Sequence, residues 1–242
     1  MSPSRPGHRA LILAVAASAA MAVGAAPAAD APFHDLRSQA PIHGDAAAGA
    51  SKAPVCAACH GSDGMATVPA FPNLAGQSAT YLYVQLHGFK SGARSNAVMA
   101  PLVGSLSDQD MRDLATHYAA LPHRPASGKA RAPARGYALF HDGDPALGVP
   151  PCQGCHGREG RGPQPDPAST APQPPWASFP ALAGQNSQYL LEQLKAFRSG
   201  TRAGTSNARI MQGVTRNLGV ADMQAVADYV STLQPRGEPS GH

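Results

Sequence analysis

Two five-residue stretches, Cys56-Ala57-Ala58-Cys59-His60 and Cys152-Gln153-Gly154-Cys155-His156, contain all four cysteines of the 242-residue chain. In each stretch two thiols stand three positions apart, and a histidine follows directly. This spacing is typical of covalent haem attachment, in which both sulfurs form thioethers with the porphyrin and the adjacent imidazole binds the iron. The sequence therefore predicts two covalently bound haem c groups, held by Cys56, Cys59, Cys152 and Cys155, with His60 and His156 as axial iron ligands.

Other roles of paired cysteines fit this pattern less well. A redox dithiol needs a βαβ setting, which neither motif has. A single zinc site is disfavoured because 92 residues separate Cys59 from Cys152 and because it leaves both histidines unexplained. Two disulfides remain an alternative in an exported protein.

The amino terminus has the pattern of a signal peptide. Arg5 and Arg9 form a basic start, an apolar run extends from Ala10 to Val23, and Ala26-Pro27-Ala28 suits cleavage by signal peptidase. We therefore predict a signal peptide over residues 1–28, with an uncleaved membrane anchor as the alternative. No later stretch is apolar enough to cross a bilayer. We expect a periplasmic protein, free or membrane-associated, without a transmembrane segment in the mature chain.

The remaining sequence repeats itself. Gly44–Gly49 and Gly143–Gly148 precede the two haem motifs, and Phe71–Gln77 closely matches Phe179–Gln185 behind them. Such repetition predicts two copies of one folding unit.

The predicted boundaries follow from this repetition. The first haem domain covers 29–121 and the second 134–242, joined by a Pro- and Ala-rich linker over 122–133. The second unit also contains a proline-rich insertion at about 162–175, which we predict to be a surface loop because so many prolines exclude a helix. We expect Trp176 to pin the end of this loop to the protein.

Helical signals recur in both units. Ser78 and Asn186 are predicted N-caps of equivalent amphipathic helices, and Ser107 begins the last helix of the first unit as part of a capping box. Asp45 and Asp144 are predicted N-caps ahead of the haem motifs. No segment alternates convincingly as a strand does, so the predicted fold is all-α, with two tandem haem domains.

Methionine side chains are the candidates for the sixth ligand of each iron. Met65 is too close to the first haem motif for the chain to reach the opposite haem face. Met111 and Met223 lie in predicted helices, where core packing is expected. Met99 and Met211 occupy matching positions in what we predict to be irregular segments before the last helices, and they are the predicted axial ligands.

Two arginines also recur. Arg94 and Arg202 follow a glycine in each unit and are candidate partners of the haem propionates, with a solvated surface position as the alternative. For the remaining histidines we expect solvated or packing roles. Two of them can be compared between the units: His87 corresponds to Lys195 in the second unit, and His117 corresponds to Tyr229, so neither histidine recurs.

The two motifs, the Gly-Asp-x-x-x-Gly before each and the Phe-Lys-Ser-Gly-x-Arg ahead of Met99 resemble the dihaem cytochrome c4 family over about Gly44 to Leu233. The resemblance implies a periplasmic electron carrier with two cytochrome c folds, delivering electrons toward a terminal oxidase. It also implies that His60 and Met99 bind one iron, and His156 and Met211 the other. The chain departs from the pattern at the insertion and at Ala181, which stands where the first unit has Asn73.

Three functions are compatible with two haem domains in one chain. The leading one is an electron shuttle rather than an enzyme. The alternatives are the dihaem subunit of a dehydrogenase, such as a sulfide-oxidising flavocytochrome, and a dihaem peroxidase, which needs an open iron site. We expect redox protein partners, either a membrane oxidase or reductase complex or a dehydrogenase, and no nucleic acid.

Charge differs between the two halves. Residues 29–125 contain six Lys and Arg against seven Asp and Glu, whereas residues 126–242 contain eleven against eight. Such a dipole orients a carrier as it approaches a partner. We therefore expect an acidic partner surface to meet the second unit, with a merely solvated linker as the alternative explanation of the charge.

Overall fold

The computed structural model describes Met1 and residues 32–123, 133–163 and 175–235. The predicted signal peptide lies outside the described residues except for Met1, as do most of the predicted linker and most of the proline-rich insertion. From Ala31 onward the chain forms one compact unit. The two sequence repeats therefore pack as parts of a single body.

Helices make up the regular structure of the described residues, beside two isolated β-bridges and two short 3-10 helices at Pro145–Leu147 and Pro175–Ser178. The all-α prediction is confirmed. Within the described residues, no helix has both the length and the apolar character needed to cross a bilayer. In chain order the α-helices are α1 (Ala46–Lys52), α2 (Pro54–His60), α3 (Ala79–Ser91), α4 (Met99–Gly104), α5 (Asp108–Ala120), α6 (Ala134–His141), α7 (Gln153–His156), α8 (Ser187–Ser199), α9 (Ser206–Thr215) and α10 (Val220–Thr232).

The last helix of each repeat organises its packing. In the first repeat α1 and α3 both pack against α5, and in the second α6 and α8 both pack against α10. Met111 on α5 is 2% exposed and Met223 on α10 is fully buried, each within the apolar core of its own repeat. The predicted packing role of these two methionines is confirmed.

Capping side chains define several helix ends as predicted. The Asp45 carboxylate accepts hydrogen bonds from the first turn of α1, and Ser107 with Asp110 forms the capping box of α5. The Ser78 hydroxyl caps α3. Asn186 occupies the N-cap position of α8, but its side chain makes no capping bond, because its amide donates instead to the carbonyl of Phe71 in the other repeat at 2.7 Å.

The start of the second repeat does not have the helix arrangement expected from its sequence match with the first repeat. Asp144 caps only the 3-10 turn Pro145–Leu147, whereas α6 takes the place that α1 has in the first repeat. Gly49 on α1 and Gly136 on α6 make equivalent close approaches to the last helices. The expected match of Gly143–Gly148 with Gly44–Gly49 is therefore wrong in three dimensions, because an additional turn separates α6 from the second haem motif.

These two glycines have no space for a side chain. A Cβ at Gly49 would lie 2.2 Å from the carbonyl oxygen of Asp113, and one at Gly136 would lie 2.1 Å from that of Ala225. Both helices must move for alanine to fit, so we expect Gly49→Ala and Gly136→Ala to lower the free energy of unfolding by about 1–3 kcal/mol. Chemical denaturation of the haem-loaded protein measures this loss.

Gly213→Ala on α9 is the matched control. A Cβ there meets no atom within 4 Å, and alanine is favoured over glycine inside a helix by about 0.5–1 kcal/mol. We expect this variant to be as stable as the parent or slightly more stable. Equal losses for all three variants would contradict the close-packing explanation.

The end of the proline-rich insertion is held differently from the prediction. Trp176 is 47% exposed, whereas the neighbouring Ala177 and Ser178 are buried. The Ser178 hydroxyl accepts a hydrogen bond of 2.7 Å from the amide of Asn207. The expectation that Trp176 pins this segment is wrong, because small residues fit the site between helices better than an indole ring.

Candidate functional site: two haem-binding motifs on one cavity

Both cysteine motifs lie on short helices. Cys56 and Cys59 are on α2, which ends at His60, while Cys152 is the N-cap of α7 and Cys155 lies within it. Because positions three apart lie on the same face of a helix, each pair of thiols faces the same side. None of the four is joined in a disulfide, so the structure does not support the alternative of two disulfides.

Each histidine of the motifs is held through one ring nitrogen. Nδ1 of His60 lies 2.9 Å from the carbonyl oxygen of Pro72, and Nδ1 of His156 lies 3.0 Å from that of Pro180. A carbonyl only accepts, so Nδ1 carries the proton and Nε2 keeps its lone pair. Burial lowers the pKa of both imidazoles, which favours the neutral form that binds iron.

One cavity, open to solvent in part, extends through both repeats and contacts all four cysteines and both motif histidines. The walls are largely apolar, with aliphatic and aromatic side chains from both repeats: Leu82, Leu86, Phe89, Val103, Leu114, Leu182, Leu190, Leu194, Phe197 and Val226. The wall chemistry and the donor set fit two haem c groups.

Two of the described methionines line the cavity, and they are Met99 and Met211. Both are half-buried. The prediction that they lie in irregular segments is wrong: Met99 is the first residue of α4, and Met211 lies inside α9. Among the described histidines, only His60 and His156 line the same cavity.

Arg94 and Arg202 also line the cavity, at the contact between the repeats. Arg202 is only 9% exposed, and both guanidiniums bond to side chains of the opposite repeat. The alternative of a solvated surface position is therefore wrong. The sequence showed that the two arginines recur, but it could not show that they meet.

The contact between the repeats also contains a reciprocal pair of glutamines that the sequence analysis did not single out. The Gln185 side chain bonds the backbone N–H and carbonyl of Asn73 at 2.7 and 2.9 Å, and Gln77 bonds the same groups of Ala181 at 2.9 and 2.8 Å. Since these bonds use backbone atoms, the departure at Ala181 leaves them intact. The repeated Leu-Ala-Gly-Gln was the available signal.

The comparisons with known proteins agree with this geometry. Residues 46–119 and 133–234 match the family Cytochrome c. Cytochrome c4 of Pseudomonas aeruginosa is 41% identical over 190 residues, which is 78% of this chain and 89% of that protein. The chain belongs to the cytochrome c4 family. The two cysteine motifs are thus sites for two covalently bound haem c groups, and the chain is a dihaem electron-transfer cytochrome, a carrier rather than an enzyme.

Two further relatives are informative. The crystal structure of reduced cytochrome c4 from Pseudomonas stutzeri superimposes with a TM-score of 0.69 at 34% identity, covering 79% of this chain and all of that one. A protein named thiosulfate dehydrogenase electron acceptor, from Stutzerimonas stutzeri, is 39% identical over 182 residues, covering 74% of this chain and 78% of its own length. Both support two tandem cytochrome c domains.

Proposed function

We propose that this chain carries electrons in the periplasm as part of a respiratory chain, passing them toward a terminal oxidase. The supporting observation is the single cavity, which is lined by two equivalent sets of two cysteines, one histidine and one methionine. With two redox centres in one compact unit, an electron can enter through one repeat and leave through the other.

The proposed ligands follow from the cavity lining. Cys56 and Cys59 hold the first haem and His60 is its axial ligand, while Cys152, Cys155 and His156 serve the second. Haem, when bound, supplies the reversible one-electron chemistry of its iron.

The remaining axial ligands are Met99 for the first haem and Met211 for the second. A thioether opposite an imidazole raises the reduction potential. A histidine and a methionine held for each iron would leave no open position for other small molecules. Carriage of electrons therefore needs no change of ligands.

The surfaces beside the two methionines differ in charge. Arg209 on α9 and Arg216 at its C-cap are both exposed, and they lie before and after Met211 in the sequence. The segment around Met99 has exposed apolar side chains, Val98 and Leu102, and contains no charged residue between Arg94 and Asp108. We propose that an acidic partner docks at α9 and that the other partner exchanges electrons at the first repeat.

A second candidate is electron acceptor for a dehydrogenase. The similarity to two proteins named thiosulfate dehydrogenase electron acceptor favours this class. The alignment with the first of them covers 74% of this chain, close to the 78% covered by the alignment with cytochrome c4 of Pseudomonas aeruginosa. The same haem sites serve both functions, so the partner distinguishes them.

Stopped-flow kinetics with two partners, membranes that contain a terminal oxidase and thiosulfate dehydrogenase, tests these two functions. We expect the reduced protein to be oxidised by membranes that contain a terminal oxidase. We further expect the double variant Arg209→Glu, Arg216→Glu to slow exchange with one partner only, by about tenfold at low ionic strength, because steering charges act mainly on the association rate. Absorbance of the reduced haems follows both reactions.

Arg37→Glu is the control for charge reversal, because Arg37 is exposed in the first repeat, where it pairs with the nearby Asp35. Equal slowing with both partners, or rates independent of salt, would contradict the docking assignment. Failure of the membranes to oxidise the protein, together with rapid reduction by thiosulfate dehydrogenase, would replace the leading function with the second candidate.

A further inference from the structure

Arg94 of the first repeat is bonded mainly across the contact between the repeats. Its Nη2 donates to the Gln193 amide oxygen at 2.8 Å and to the Tyr189 hydroxyl at 3.2 Å, both in the second repeat. Its Nη1 donates to the amide oxygen of Gln85 in its own repeat at 2.6 Å. The position of this guanidinium therefore depends on both repeats.

Arg202 makes the mirror-image set of contacts. Its Nη2 donates to Gln85 at 2.8 Å and to the Tyr81 hydroxyl at 3.1 Å, both in the first repeat, and its Nη1 donates to Gln193 at 2.8 Å. Gln85 and Gln193 thus each accept from both arginines. Two cations are held together by two amide oxygens that they share.

Among the residues that the structure describes, no carboxylate pairs with either of these cations. Every contact that the structure gives them is to an amide, a hydroxyl or an aromatic ring, the rings being Phe89 under Arg94 and Phe197 under Arg202. Burial would raise the pKa of Tyr189, but the two guanidiniums outweigh that effect and lower it. Two adjacent buried cations are costly unless an anion compensates them.

Both arginines line the cavity that contains the two haem-binding motifs, and a haem carries two propionate carboxylates that could pair with them. We propose that Arg94 and Arg202 form one cationic site, shared by the propionates of both haems, which sets the two reduction potentials together. Gln85 and Gln193 are its positioning residues. This inference deepens the proposed electron-carrier function, and its test measures potentials rather than transfer to a partner, so the two can fail separately.

A cationic site shared by both haems and two separate sites, one for each haem, predict different changes in the reduction potentials. A positive charge near a haem favours the reduced iron, which carries one positive charge fewer. If each guanidinium acts on both haems, removing either one disfavours reduction of both. If each serves its own repeat, only one potential responds.

Redox titration of the haem-loaded Arg94→Gln and Arg202→Gln variants separates these cases. We expect each variant to lower both potentials, with a change of about tenfold in each reduction equilibrium constant, equivalent to about 59 mV for a one-electron couple. Arg94→Lys keeps the charge and should restore most of the shift. Methionine-ligand variants of single repeats identify which titration step belongs to which haem.

Gln193→Glu provides a variant that retains the shape of the network. Its carboxylate accepts from both arginines as the amide does, so the protein folds, but it competes for the charge that the propionates use. We expect it to lower both potentials. Arg198→Gln is the control, because Arg198 bonds the carbonyl of Leu218 outside this network, and neither potential should change.

The possible results decide the proposal. A shift confined to the haem of the substituted repeat would overturn the shared site. Unchanged potentials in Gln193→Glu and both arginine variants, with only a lower unfolding temperature, would show that the arginines merely join the repeats. Joint lowering of both potentials, absent in Arg198→Gln, would establish it.

Discussion

We expect replacement of Met99 with alanine to lower the reduction potential of the first haem and to remove about half of the near-infrared absorption band that reports sulfur bound to ferric iron. The physical reason is that the thioether favours reduced iron, whereas water or a nitrogen ligand in its place favours the oxidised state. We expect a fall of more than about 59 mV, the shift that a tenfold change in a one-electron equilibrium produces. Met211→Ala has the same effect on the second haem.

Met223→Leu is the matched control for these variants. Met223 is fully buried in α10 and does not line the haem cavity, and leucine has nearly the same volume. We expect both potentials and the near-infrared band to stay unchanged, with a loss of stability below about 1.5 kcal/mol. A Met99→Ala protein that keeps the full band would show that another group binds the first iron.

We expect replacement of both Cys152 and Cys155 with alanine to halve the covalently bound haem and to destabilise the whole molecule. The second haem is lost with its thioethers, and the apolar walls that it would cover belong to a cavity shared with the first repeat. An apolar cavity left unfilled lowers stability in proportion to its volume. Intact mass gives the haem count, and thermal unfolding followed at the remaining haem gives the stability.

The reciprocal variant, with Cys56 and Cys59 replaced, is the control and should lose the first haem with a comparable loss of stability. A mass corresponding to two haems in either variant would refute the attachment sites. An unchanged unfolding temperature of the remaining haem would instead show that the repeats are stable independently of each other, despite the hydrogen bonds between them.

Local sequence patterns predicted the helices and their caps well. The capping box at Ser107 and the N-cap at Asp45 depend on a few neighbouring residues, and both are found in the structure. Asn186 has the same local signal, yet its amide bonds the other repeat. A distant carbonyl competes for that side chain, and a local pattern cannot show such competition.

The comparison of the repeats was reliable behind the haem motifs and misleading before them. Phe71–Gln77 and Phe179–Gln185 make equivalent contacts, including the reciprocal bonds of their glutamines. The match of Asp45 with Asp144 was wrong, because the helix that packs on α10 begins earlier, at Ala134. Short similar strings identify related segments only where their spacing to the packed helices is preserved.

The sequence by itself determined the chemistry of this protein, since the spacing of two cysteines and a histidine is set by covalent attachment to one porphyrin and needs no knowledge of the fold. It also determined the helical architecture, because caps and apolar periodicity are local. Only the tertiary structure decided that Met99 and Met211 share the haem cavity and that Arg94 and Arg202 meet between the repeats. Those relations join residues far apart in the chain, and they depend on how the helices of two repeats pack against each other.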